Sequence, residues 1–304
     1  ALANRQVGTP NIGYPVSQGS AWPETHVMGG LQGAISQPSR AMLLTGRQLF
    51  NLHQDGRIIP EQDKTLPEVF RANGYETFGT GKWHSDKASF NRSFSTGANI
   101  FFGGMVQYET DGHFRPFLHD YDPSGRYAEG YFRPGFSSQI YADGTIEFLL
   151  ERRRDKPFLA YVAFNSPHDP RTPPPAYGHK YDPPEVGLPL NFMRQHPFNN
   201  GDLDLRDEVF LPTPRDPGAV SREIAAYYGM VSEVDTQIGR IVAALKASGQ
   251  FGNTIIVFTS DNGLAVGSHG LLGKQNLYEH SSKVPLVIAG PGVSKGEKRG
   301  AYCY

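Results

Sequence analysis

Two short apolar runs, residues 158–164 (FLAYVAF) and 255–259 (IIVFT), set the frame for everything else in this chain. A strand with one wet face alternates apolar and polar side chains, so an uninterrupted apolar run predicts a strand covered on both faces. Each run follows a stretch of helical period. Residues 137–153 place Ile140, Ala142, Ile146, Phe148, Leu149 and Leu150 on an amphipathic helix, with Pro157 marking its exit. Residues 221–248 carry a longer stripe through Ile224, Tyr228, Val231, Val234, Ile238, Ile241, Val242 and Leu245, with Ser221 as the predicted N-cap and Gly249 at the end. Residues 65–72 predict a further helix, Asn73-Gly74 a turn, residues 75–78 a short strand, and residues 285–289 another. Helices alternating with apolar strands define an α/β fold, a layered α/β/α arrangement around a mostly parallel central sheet. Ligands of such sheets sit beyond the carboxyl ends of the strands. The polar residues at those places are Lys82 and His84, His168, and Asp261 with Asn262.

Bulk electrostatics narrow the partners. The 304 residues carry 29 Lys+Arg against 30 Asp+Glu, a net charge of −1, which excludes the overall basic footprint of a nucleic-acid binder. Cys303 is the single cysteine, so no internal disulfide or cysteine-based zinc site is available. No apolar run reaches the ~18 residues that a membrane span needs. Two long stretches, 85–133 and 169–217, lack convincing periodicity and are expected to form the rim of a substrate site. Within the first, His113, Arg115, His119, Arg126 and Arg133 lie among aromatic residues between 101 and 131. Rings that stack on sugars and cations that meet anionic groups make His113, Arg115 and His119 substrate-binding candidates, although the same residue types also build ordinary core.

The segment 36–47, SQPSRAMLLTGR, stands apart. Pro38 fits a first helical turn, and a helix start there presents free N–H groups and a positive dipole end to an anion. In isolation Ser36 reads as a capping serine. Residues 79–82, GTGK, suggest a phosphate loop, but that motif needs glycine at 76 and Ser or Thr at 83, where Glu76 and Trp83 stand. His168 among prolines and the trio Asp261-Asn262-Gly263 are each compatible with plain turn chemistry.

Taken together these elements resemble type I sulfatases of the alkaline-phosphatase-like superfamily, over residues 8–291. Residues 36–47 are similar to the family signature, which runs from Cys or Ser through Pro-Ser-Arg to Thr-Gly-Arg. Lys82-Trp83-His84 resembles its Lys-x-His element, Pro167-His168-Asp169-Pro170 its Pro-His-x-Pro element, Asp261-Asn262-Gly263 its metal-binding element, and Lys274 its second sulfate-binding lysine. The resemblance implies that residue 36 is oxidised by a maturase to formylglycine, whose hydrate attacks sulfur through one hydroxyl and expels sulfate through the other. It further implies that Arg40 holds the hydrate, that Lys82 and Lys274 bind sulfate oxygens, and that Arg47 is structural. Asp261 and Asn262 ligate Ca2+, Asp261 also taking the proton of the attacking hydroxyl. His168 is the candidate acid to the leaving oxygen and His84 the candidate base for collapse.

Two departures follow from the same comparison. The strand that supplies two more metal-binding aspartates in the family has no counterpart before residue 9, so calcium is expected to bind weakly or not at all. Residue 36 is serine, either a natural serine-type site or a replaced cysteine. The 304 residues are therefore expected to be an incomplete sulfatase catalytic domain that lacks its first strand and its C-terminal subdomain. The expected activity is hydrolysis of a sulfate ester, on a sulfated carbohydrate or small molecule, in a periplasmic or secreted setting inferred from the family. A phosphonate or phosphate ester hydrolase and a non-catalytic sulfated-glycan binder are the alternatives.

Overall fold

The computed structural model describes residues 6–33, 35–107 and 111–304. In chain order its helices are α1 (Pro10–Gln18), α2 (Ser36–Thr45), α3 (Leu66–Ala72), α4 (Lys87–Ser93), α5 (Ser137–Glu151), α6 (Pro175–Gly178), α7 (Pro183–Val186), α8 (Pro217–Ala247) and α9 (Glu279–Ser282). Its strands are β1 (Gly19–Ala21), β2 (Thr25–His26), β3 (Glu76–Lys82), β4 (Thr96–Phe101), β5 (Phe117–Leu118), β6 (Tyr131–Phe132), β7 (Phe158–Ala163), β8 (Ile256–Thr259), β9 (Lys283–Val284), β10 (Leu286–Ala289) and β11 (Glu297–Lys298). They group into two compact units. The first comprises Ala1–Ile35, Arg171–Asp235 and Asn253–Tyr304, the second Ser36–Pro170 and Thr236–Gly252.

The second unit is built on a parallel sheet of order β4–β3–β7. Side chains alternate along β3, and the alternation explains the layering. Phe78 stacks on Phe148 of α5 at 4.5 Å between ring centroids. The next residue, Gly79, lies against Phe90 of α4 and Phe94 just after it, on the opposite face. Helices thus cover both faces, as the α/β/α expectation requires. Ala41 and Leu44 of α2 share a buried cluster with Trp83, Phe90, Phe94 and Ile100, which fixes α2 beside the end of β3. Gly81, at φ +79°, brings β3 so close to β7 that a Cβ there would lie 2.0 Å from the Ala163 carbonyl oxygen. The glycines around Lys82 thus serve strand packing, in agreement with the rejection of a phosphate loop. Thr65 accepts the Glu68 N–H in a capping box, so the expected helix 65–72 forms as α3.

In the first unit the sheet has the order β11–β1–β10–β8, with β1/β10 and β10/β8 antiparallel and β1/β11 parallel. Asp235 accepts the N–H groups of Asn11 and Ile12 and caps α1, whose own N-cap residue, Thr9, makes no capping bond.

Several expectations are corrected. The strand expected at 75–78 continues to Lys82, so that lysine ends the strand rather than following it. The stretch 85–133 is not one structureless loop: it contains α4, β4 and the β5–β6 hairpin. The helix expected from Ser221 begins at Pro217, because Asp216 accepts the Ala219 N–H at 2.7 Å and takes the capping role. The run 255–259 is not covered on both faces, since Ile255 and Val257 are 60% and 56% exposed, and β7 is half-buried until Ala163. The mostly parallel arrangement holds in the second unit, while the strand at 285–289 runs antiparallel to β8. Residues 108–110 of the aromatic stretch fall outside the described residues.

Candidate active site

The second unit carries Ser36, Arg40, Lys82, His84 and His168. Ser36 is the first residue of α2 and is 2% exposed, so its side chain sits at the positive end of a ten-residue helix. One turn later Arg40, also buried, donates from Nη1 to the Lys82 carbonyl oxygen at 2.8 Å and to the Tyr161 hydroxyl at 3.2 Å. This guanidinium ties α2 to the ends of β3 and β7. Lys82 is 2% exposed, which puts two buried cations in the same unit as the Ser36 helix start. Two such charges at the carboxyl end of a parallel sheet suit an anion.

His84 follows at φ +62°, in the left-handed region, and its loop is anchored on both sides. Ser85 donates to the Gly56 carbonyl at 3.0 Å, and Asp86 accepts from Ile59 N–H at 2.9 Å and from Ser89 N–H at 2.7 Å. Gly104 leaves room for the ring, since a Cβ there would lie 2.6 Å from His84 Nε2.

His168 follows β7. Its Nδ1 lies 3.1 Å from Asp169 Oδ1 and 3.0 Å from the Asp169 carbonyl oxygen. Both partners only accept, so Nδ1 carries the proton and Nε2 is the acceptor nitrogen of the neutral ring. The loop is held from behind. Tyr141 donates to Asn165 Oδ1 at 2.7 Å, and the Asn165 carbonyl accepts the His168 N–H at 3.0 Å.

The substrate-binding candidates fare differently. His113 is corrected from a substrate-facing residue to an internal strut: it is fully buried, its Nε2 donates to the His168 carbonyl at 2.8 Å, and its Nδ1 accepts from Ser137 Oγ at 3.0 Å. Burial pushes its pKa down to about 4, against the opposing pull of the His168 carbonyl and Asp169, so the ring is neutral at neutral pH. His119 is half-buried edge-on to Phe102 and Phe117, its backbone pairs with Ile100, and burial followed by nearby Lys87 lowers its pKa. Arg115 is exposed over the Phe132 ring, Arg126 is exposed, and Arg133 donates to Asn99 Oδ1. Arg47 pairs with Asp63 at 2.8 Å, consistent with a structural role.

The first unit carries Asp261, Asn262 and Lys274. Asp261 and Asn262 follow β8, with Ser260 Oγ donating to the Asn262 carbonyl at 2.8 Å and Asn262 Nδ2 to the Gly263 carbonyl at 2.9 Å. Lys274 is 4% exposed, and its Nζ lies 3.9 Å from Asp207 Oδ2. Asp261 and Asn262 have the hard oxygen chemistry that calcium takes, but they are two residues for an ion with ~6–8 ligands. No group of three or more His, Cys, Asp or Glu that could hold a metal occurs among the described residues. These two side chains alone therefore fall short of a calcium site. The same residues contain no helix long and apolar enough to cross a membrane.

Sequence reasoning missed Asp169, Tyr161 and the strut role of His113. Asp169 was adjacent to His168 in the motif and therefore findable, whereas Tyr161 looked like one more apolar-run residue.

Buried cations in the unit of the Ser36 helix start, with two histidines on neighbouring strand-end loops, define an α/β/α protein whose strand ends are suited to an anion. The particular family follows from comparison: a family model described as Sulfatase matches residues 25–302, and the chain belongs to that family. It is 27% identical over 326 residues to a sulfatase of Formosa agariphila, covering 96% of this chain and 61% of that protein. It is 26% identical to the N-acetylglucosamine-6-O-sulfatase of Bacteroides thetaiotaomicron, covering 95% of this chain and 60% of the relative. The solved structure of the phosphonate monoester hydrolase of Agrobacterium radiobacter shares the fold, with a TM-score of 0.75 at 24% identity, covering 99% of this chain and 67% of that one. The chain thus spans about three-fifths of the length of these two curated relatives.

Proposed function

We propose that these residues form the catalytic part of a sulfuric ester hydrolase that removes sulfate from a sulfated carbohydrate. The observation that carries the reading is the grouping in one unit of Ser36 at the start of α2, buried Arg40 and Lys82, and His84 and His168 after adjacent parallel strands. Membership of the sulfatase family and the similarity to an N-acetylglucosamine-6-O-sulfatase support the carbohydrate.

Residue 36 as formylglycine hydrate supplies two hydroxyls on one carbon, one for attack on sulfur and one for release of sulfate. The residues around it are suited to that group: a helix N-terminus and the Arg40 guanidinium stabilise developing negative charge. Lys82 and Lys274 neutralise sulfate oxygens. His168, held through Nδ1 by Asp169, gives a proton from Nε2 to the leaving alcohol, and the Asp169 carboxylate faces the positive charge that the ring then carries. His84 accepts a proton at the release step. Asp261 and Asn262 offer oxygen donors of the kind calcium takes, two of the several such an ion needs. The setting this reading implies is an exported enzyme oxidised by a maturase beforehand.

The test is the full-length protein produced with a serine-competent maturase. The expected result is a residue-36 peptide lighter by two hydrogens, with 4-nitrophenyl sulfate turned over faster than the corresponding aryl phosphonate. Faster phosphonate turnover transfers the reading to phosphorus chemistry. Intact serine with no turnover of either ester overturns the enzyme.

A further inference from the structure

In the first unit, Lys274 and the Asp261-Asn262-Gly263 turn lie at the open end of one hairpin. Ala265, Val266 and Gly267 donate their N–H groups to the carbonyls of Gly273, Leu272 and Leu271, at 2.9, 3.3 and 2.8 Å. Every donor of that ladder sits on the first arm. The second arm, which ends at Lys274, needs acceptors of its own, because Leu272 and Gly273 are buried and an orphaned amide there is costly.

One carboxylate supplies both. Glu208 Oε2 accepts the Leu272 N–H and Glu208 Oε1 the Gly273 N–H, each at 2.8 Å. Oε2 also takes Arg215 Nη2 at 2.8 Å. Arg215 in turn donates through Nε to the Gly270 carbonyl at 3.0 Å and through Nη1 to the Glu208 carbonyl at 2.8 Å. Both side chains are nearly inaccessible, at 4% and 3% exposure. The next residue, Lys274, donates its N–H to Gln275 Oε1, and Gln275 Nε2 donates to Asp207 Oδ2, at 3.1 Å in each bond.

We propose that Glu208, backed by Arg215, is a positioning residue that fixes the backbone immediately before Lys274 and so sets where that ammonium group stands for sulfate. The inference rests on the reading of Lys274 as a sulfate-binding lysine. Glu208 reaches neither substrate nor metal. It acts by reading two consecutive amides with the two oxygens of one carboxylate, a geometry that an amide side chain cannot reproduce because its NH2 faces a donor.

The test is a double-mutant cycle in the full-length protein with residue 36 oxidised, checked by intact mass, using 4-nitrophenyl sulfate. Lys274→Ala is expected to lower kcat/KM roughly 100-fold. Glu208→Gln is expected to lower it by about 10- to 100-fold, as loss of an outer-shell partner does. On the Lys274→Ala background, Glu208→Gln is expected to cost less than about threefold more, because there is no ammonium group left to misplace. Should Glu208→Gln fail to fold, Glu208→Asp decides by the same comparison, since it keeps the charge but withdraws the oxygens from the two amides. Losses that multiply in the double variant mark a general effect on folding and overturn the inference, as does a wild-type rate in Glu208→Gln. Wild-type activity in Lys274→Ala overturns the reading of Lys274 and this inference with it.

Discussion

His168 and its two partners show how a single ring can be assigned a task. Asp169 holds Nδ1 and His113 holds the backbone carbonyl, and in the proposed reaction Nε2 serves the leaving oxygen. A sugar alkoxide needs that proton far more than 4-nitrophenolate does. His168→Ala is therefore expected to slow hydrolysis of a sulfated sugar by roughly 100-fold or more while costing the nitrophenyl ester much less. Equal losses on the two substrates would remove the general-acid role. His113 makes a separate prediction about stability. Its folded pKa of about 4 lies below the value of about 6.5 for a free histidine. Between those values the unfolded chain binds the extra proton, so its contribution is complete above about pH 6.5 and declines as pH falls toward 4. The shift is worth at most about 3 kcal/mol. Urea midpoints of the wild type and His113→Gln at about pH 7 and pH 4.5 check it: the variant's midpoint should depend less on pH.

At the scale of elements, the loop between β3 and α4 is held by Asp86, which accepts two backbone amides, Ser89 as the cap of α4 and Ile59 from a distant turn. Asp86→Ala leaves both without that acceptor and should lower stability by about 1–3 kcal/mol, read from urea unfolding. An unchanged midpoint would mean that water replaces both bonds. Elements whose signal is local were legible in the sequence: α3 by the Asn73-Gly74 turn that ends it, and α5 by its apolar period. Strand β4 was not, because Gly97, Ala98 and Asn99 show no strand alternation and the pairing with β3 supplies what local preference lacks. Helix α1 was hidden for a related reason, since its cap comes from Asp235, more than two hundred residues away in sequence. The candidate residues divide in the same way. Ser36, Lys82, His84, His168, Asp261 and Lys274 stand in short motifs, whereas Glu208 meets Leu272 and Gly273 only through the fold. The exposed Ile255 and Val257 show that an uninterrupted apolar run does not by itself imply burial on two faces.

For the molecule as a whole, a net charge of −1 conceals where the charge stands. Arg40, Lys82 and Lys274 are all buried, so a count of charges over the whole sequence says nothing of where they stand. The metal balance also has to be drawn at this scale. A ligand that binds only the folded state raises stability by about 2.7 kcal/mol at a hundredfold excess over its Kd. Asp261 and Asn262 give two of the ~6–8 oxygens that calcium takes, too few for a Kd well below millimolar. Thermal unfolding of the 304-residue chain should therefore shift by less than about 1 °C on addition of ~1 mM Ca2+, and Asp261→Asn should leave that null response unchanged. A rise of several degrees that Asp261→Asn abolishes would show that further oxygens complete the site within these residues, and calcium would then belong in the chemistry of this chain as it stands.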